Sequence, residues 1–216
     1  MLSEEIISYV LIGVIYIISI SIHEYAHVAA AYVLGDPTGK MLGRLTPNPL
    51  KHIDPIGFVL MFLIGFGWGR PAPYNPNYFK RPYRDELLVA LAGPASNIVL
   101  GVIGIVVLLV YVKIVGGAVN PDLDMVVSFW QMFSYANFAL AAFNMIPLPP
   151  LDGYRLIKVM NHRRWDRLEK NMQWIALGFL VLVVFWPFKD VLSSYIHLIA
   201  TTLYHVFLIP FGLLIG

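Results

Sequence analysis

The 216-residue chain contains no cysteine. That absence excludes disulfides, iron–sulfur clusters, cysteine-ligated metals and a thiol nucleophile. Charge is also scarce. Only 13% of the residues are Asp, Glu, Lys or Arg and 58% are apolar, against roughly 25% and 45–50% in ordinary soluble domains. A domain of this length still exposes much of its area, so it cannot hide that much apolar surface from water. A disordered chain, a basic nucleic-acid-binding domain and a soluble globule are excluded together, and no nucleic-acid partner is expected. No basic segment precedes the first apolar run, which begins behind Glu4 and Glu5. It therefore reads as a retained membrane span and not as a cleaved signal. Repeats and low-complexity linkers are lacking too.

What is present is a series of apolar runs. A span needs about 20 apolar residues, and 6–34, 87–112, 126–148, 174–188 and 191–214 approach or meet that length. The run 56–68 is shorter, carries glycines at 57, 65 and 67, and reads as a re-entrant piece. The fold expected is an all-α integral membrane protein of five to six transmembrane helices, irregular at about 38–68. One membrane-embedded domain accounts for 1–216, with a motif-bearing core at 6–160 and accessory spans at 172–216. Of the 15 lysines and arginines, three lie in 36–55, four in 69–86 and six in 149–171. The positive-inside rule puts those three segments on the cytoplasmic face of a multi-pass cell-membrane protein with an external amino terminus.

The first span holds His23-Glu24-Tyr25-Ala26-His27. On a helix, residues four apart differ by only about 40°, so both imidazoles face one way and can grip one metal. Glu24 is rotated away from ligation and close enough to handle the protons of a water there. Ionisable groups inside a span are functional hypotheses by default. A catalytic zinc wants three protein ligands and one open position. Val33 stands where an extended soluble motif would place a third histidine, and no glutamate lies between Glu24 and Glu86. The third ligand must come from elsewhere at similar depth. Asp122 and Asp124 fall on the opposite face, and Asp85 and Glu86 are expected in a charged, solvated loop. Asp152 is left by elimination, its alternative being an N-cap for a helix beginning after it.

These residues carry a resemblance. HEYAH at 23–27, Gly-Asp-Pro-Thr at 35–38, the stretches 43–46 and 48–57, AGPASN at 92–97 and FNMIPLPPLDG at 143–153 occur in the order found in site-2 proteases. The chain resembles the short prokaryotic members of that family of intramembrane zinc metalloproteases. The resemblance implies one Zn2+ held by His23, His27 and Asp152, Glu24 as general base, and Asn97 and Asn144 as polar helpers. It implies an endopeptidase that cuts transmembrane protein substrates within the lipid bilayer, near the cytoplasmic face. The irregular 38–68 region is expected to receive a locally unwound substrate, pairing with it as an added strand. The alternative is a zinc transporter or sensor using the same ligands, for which Glu24 would be dispensable.

Other polar residues read as structural. His52 and Asp54 anchor the re-entrant segment or shape a water path, and His197 and His205 serve packing in the last span. Asn137 and Gln131 bridge helices by hydrogen bonds. Trp68, Trp165, Trp174 and Trp186 suit interfacial belts, and the basic residues of 149–171 suit anionic lipid.

Overall fold

The computed structural model describes residues 2–65, 67–116, 125–160, 171–184 and 188–215. Among them, every regular element is helical, and the one β-like contact is an isolated antiparallel bridge between Ile53 and Gly69. The helices are α1 (Leu2–Val33), α2 (Thr38–Met41), α3 (Pro55–Ile64), α4 (Pro82–Ile114), α5 (Met125–Asn144), α6 (Tyr154–Met160), α7 (Met172–Val184) and α8 (Phe188–Ile215). Four of these, α1, α4, α5 and α8, are long and apolar enough to cross a membrane. Of the expected span at 174–188, residues 174–184 lie in α7 and 185–187 lie outside the described residues. The described part of α7 reaches about 20 Å at 1.5 Å per residue. The interfacial residues Trp165 and Trp186, the acids Asp122 and Asp124, and the basic residues Arg163, Arg164, Arg167 and Lys170 lie outside the described residues.

Local chemistry sets the boundaries. Gly35, at φ 107°, ends α1 and lets the Asp36 N–H reach the carbonyl of Ala31, a left-handed stop that favours glycine. The Asp36 carboxylate then accepts from Thr38 N and Asn75 N, tying the first loop to the approach to α4. Asp54 caps α3 by accepting from Ile56 N and Gly57 N, and Pro55 occupies the first helical position. Ten apolar residues make α3 too short to cross, in keeping with a re-entrant piece.

Packing of α1, α4 and α5 builds the core. Small residues let the backbones close: a Cβ on Gly101 would lie 2.5 Å from the Phe138 ring, and one on Gly104 2.2 Å from Ser134 Oγ. Without a hydrophobic drive inside lipid, such close contact is what holds helices together. α8 lies against α5 through stacked Phe138 and Phe207, with Ile105 and Ala200 fully buried at the junction. α7 covers the loop after α5, burying Phe179 with Leu151 and Leu192.

Asp85 and Glu86 correct the sequence reading. Neither is solvated; both are buried near the start of α4, Asp85 in its first turn. Asp85 accepts from Arg81 N at the helix start. Glu86 Oε2 accepts from Lys158 Nζ at 2.9 Å and Arg155 Nη1 at 3.1 Å, both on α6. A buried carboxylate persists only when paired in this way.

Candidate metal centre

His23 and His27 stand one turn apart on α1, buried, with their rings edge to face. Each ring is oriented through Nδ1. His27 Nδ1 lies 2.7 Å from the carbonyl of Val89, and His23 Nδ1 lies 2.6 Å from Asn97 Oδ1, both on α4. A carbonyl can only accept, so Nδ1 is the protonated nitrogen and Nε2 presents a lone pair. Support of this kind is what metal-binding histidines require.

The third group comes from the loop after α5. Gly153 N donates to Asn144 O at 2.7 Å, folding 145–153 back upon α5, and a Cβ on Gly153 would meet Met145 O at 2.3 Å. Asp152 Oδ2 thereby sits 3.2 Å from His23 Nε2 and 3.3 Å from His27 Nε2. The two Nε2 atoms are 3.0 Å apart. Three lone-pair-bearing atoms thus face one another, and Asp152 Oδ2 is buried with no hydrogen-bond donor. That arrangement is repulsive unless a cation lies between them. Zinc bonds of about 2.0–2.1 Å at tetrahedral angles put neighbouring donors about 3.3 Å apart. The donors therefore fit the metal. The N-cap alternative for Asp152 is not what its carboxylate does.

Glu24 points elsewhere. It borders a cavity of about 590 Å³ shared with both histidines, Asp152 and Asn144. Its carboxylate lies under Gly69, where a Cβ would come within 2.9 Å of Oε1. The segment 67–72 runs past the cavity with its backbone tied down on the other side. Tyr16 Oη donates to Trp68 O at 2.8 Å, Arg70 N donates to His52 O at 2.6 Å, and Arg44 Nη2 donates to Arg70 O at 2.6 Å. Trp68 lines the cavity wall, and Trp174 is exposed.

The remaining sequence candidates separate. Asn97 supports His23; Asn144 lines the cavity and donates to Leu140 O at 3.0 Å. His52 is fully buried and outside the cluster, with Nε2 2.7 Å from Thr46 O, and burial lowers its pKa. His197 meets Tyr135 Oη at 2.8 Å, and His205 packs edge to face on Tyr204. Asn137 does join helices, accepting from Asn97 Nδ2 at 2.9 Å; Gln131 is exposed. Sequence reasoning missed three participants. Val89 acts through its backbone and leaves no signal in residue type. Gly93 and Gly69 admit the closest approaches to the site, and only the glycines themselves hinted at this.

Comparison with known proteins identifies the family. The profile described as peptidase family M50 matches residues 112–185. A Bacillus subtilis protein named "Putative zinc metalloprotease YwhC" is 42% identical over 183 residues, covering 83% of this chain and 80% of that protein. "Putative zinc metalloprotease Rip2" of Mycolicibacterium smegmatis is 29% identical over 179 residues, 78% of this chain and 63% of its own length. "Putative zinc metalloprotease MJ0611" of Methanocaldococcus jannaschii is 27% identical over 135 residues, 61% of each chain. This chain thus spans four fifths of the Bacillus relative and less than two thirds of the other two. No solved structure matches it. With its apolar helices and its His-His-Asp cluster, the chain belongs to peptidase family M50, the site-2 proteases, and is a membrane zinc metalloendopeptidase of that type.

Proposed function

We propose that this metalloendopeptidase cleaves transmembrane protein substrates inside the bilayer, near the cytoplasmic face. The observation that carries the reading is the placing of Glu24 at the cavity between the donor cluster and the extended segment 67–72. The cytoplasmic orientation rests on the basic residues, 13 of 15 of which lie in the three segments that flank this site.

His23, His27 and Asp152 would hold the metal, which when bound would supply Lewis-acid polarisation and lower the pKa of water towards 7. Glu24 follows His23 directly and is rotated about 100° from it, so it stays out of the donor set. It accepts a proton from the attacking water and passes it to the leaving amine. Asn144 exchanges its bond to Leu140 O for one to the substrate, and Asn97 acts through His23. The substrate backbone must be unwound before a peptide bond is open to attack, and bare backbone at membrane depth needs partners. Trp68 O, Arg70 N and Arg70 O are bonded away from the site, while Gly69 between them and Pro71 border the cavity. An extended substrate adds along that face.

The test uses purified protein and a panel of single-span peptides. Chelator-sensitive cleavage, lost in Glu24→Gln with zinc still bound, is the expected result. Zinc movement across vesicles that survives Glu24→Gln, with no peptide cut, would replace this reading with a transporter. Gly67→Pro is expected to abolish cleavage at unchanged zinc content; unimpaired cleavage removes the strand-addition step.

A further inference from the structure

A buried amide on α5 does more than join two helices. Asn137 is fully buried, and its Nδ2 donates at 2.9 Å to the carbonyl of Phe133 one turn earlier. A carbonyl only accepts, so this bond fixes which end of the Asn137 amide is the donor. Its Oδ1 is then an acceptor and takes a hydrogen bond from Asn97 Nδ2 at 2.9 Å. Asn97, also fully buried, is thereby oriented in turn: its Oδ1 must be the end facing His23 Nδ1, 2.6 Å away. An oxygen there requires the proton of His23 on Nδ1 and leaves Nε2 bare towards Asp152. The direction runs one way along the chain Phe133 O, Asn137, Asn97, His23, crossing from α5 through α4 to α1. Reversing any amide would set donor against donor or acceptor against acceptor at the next link.

We infer that Asn137 is a positioning residue of the metal centre, setting the donor direction of Asn97 and through it the nitrogen that His23 offers to zinc. Without Asn137, the Asn97 amide keeps only the long 3.4 Å approach to Ser19 O to hold its orientation. It can then turn its Nδ2 towards His23, which selects the opposite tautomer and puts the proton on the nitrogen that should ligate. A residue that never touches the metal thus governs whether one of its three ligands is available. The inference rests on ligation by His23, as proposed above.

The experiment compares the full-length protein in detergent with Asn137→Leu, Asn137→Ser, Ser134→Ala and His23→Ala. Ser134 is an equally buried polar residue one turn away that bonds only Trp130 O and serves as the packing control. Zinc affinity is read by competition with a chromophoric chelator, fold by thermal unfolding, and the imidazoles by 15N spectra of histidine-labelled zinc-free protein. Loss of an outer-shell partner costs roughly 10–100-fold in metal affinity. That loss is expected in both Asn137 variants, together with a mixture of His23 tautomers where the wild type shows Nδ1–H alone. Ser134→Ala is expected to keep wild-type zinc affinity whatever its melting temperature. If either Asn137 variant folds and binds zinc as the wild type does while His23→Ala binds weakly, the inference is overturned. If His23→Ala itself retains wild-type affinity, it is the ligation reading that fails. The serine variant decides the matter should leucine prevent folding.

Discussion

Adding a single methyl group to Gly93 should dismantle the metal centre. A Cβ built on this residue of α4 lies 2.4 Å from His27 Nε2, 2.5 Å from His27 Cε1 and 2.6 Å from His23 Cε1. Ordinary contact begins near 3.4 Å, so the rings must retreat by about 1 Å or the helices must separate. Neither ring can retreat freely, because His27 is held to Val89 O at 2.7 Å and His23 to Asn97 at 2.6 Å. Overpacking of this kind costs about 1–3 kcal/mol in stability, which a folded membrane protein can survive. The donor triangle cannot, since its edges of 3.0–3.3 Å already match a tetrahedral zinc. A 1 Å misplacement at a reacting centre costs on the order of 10²-fold in rate. Gly93→Ala should therefore lose zinc in elemental analysis and lose cleavage, while its helical circular dichroism stays intact. A folded Gly93→Ala protein with full zinc occupancy and wild-type activity would refute the geometry from which this follows.

Three further outcomes are expected. Gly69→Ala presses a methyl against Glu24 Oε1 and Ile20, so kcat should fall about tenfold or more at unchanged zinc affinity, as measured by peptide turnover and chelator competition. Glu86→Gln leaves Lys158 buried without its carboxylate; stability in denaturant should drop by about 3–5 kcal/mol, and an unchanged midpoint would show the pair to be inert. His52 is held below its ordinary pKa by burial, so the unfolded chain takes up its proton first as pH falls below about 6.5. Its contribution is therefore complete above that pH and is lost as the medium acidifies towards the folded value. Zinc-loaded protein should lose more stability between pH 7.5 and 5.5 than His52→Gln does, and parallel melting curves would contradict this.

How much of this was legible in the sequence depends on the range of the interaction. The pairing of His23 with His27 is a matter of helical period and needs no tertiary knowledge. Asp152 lies 125 residues beyond His27 and emerged only by eliminating the other acids and matching membrane depth. That same elimination misjudged Asp85 and Glu86. In the sequence they sit among charges and look solvated, and their burial follows from Arg155 and Lys158, which arrive from α6 about 70 residues later. The run 174–188 reads as a span by composition, and hydropathy does not show that its Phe179 packs with Leu151. Asn137 was read as a bond between helices; its direction depends on a backbone carbonyl, which residue type does not reveal.

The closeness of Gly93 to the two imidazoles also bears on how the metal is reached. Gly93 is buried against His27 Nε2 and Cε1 and His23 Cε1, and the cavity that both histidines border is also bordered by Glu24 and Asn144. The donor cluster and Glu24 therefore share that cavity. A substrate strand seated there, as proposed, should slow the removal of zinc by a chelator, so that substrate protects the very atom that cuts it.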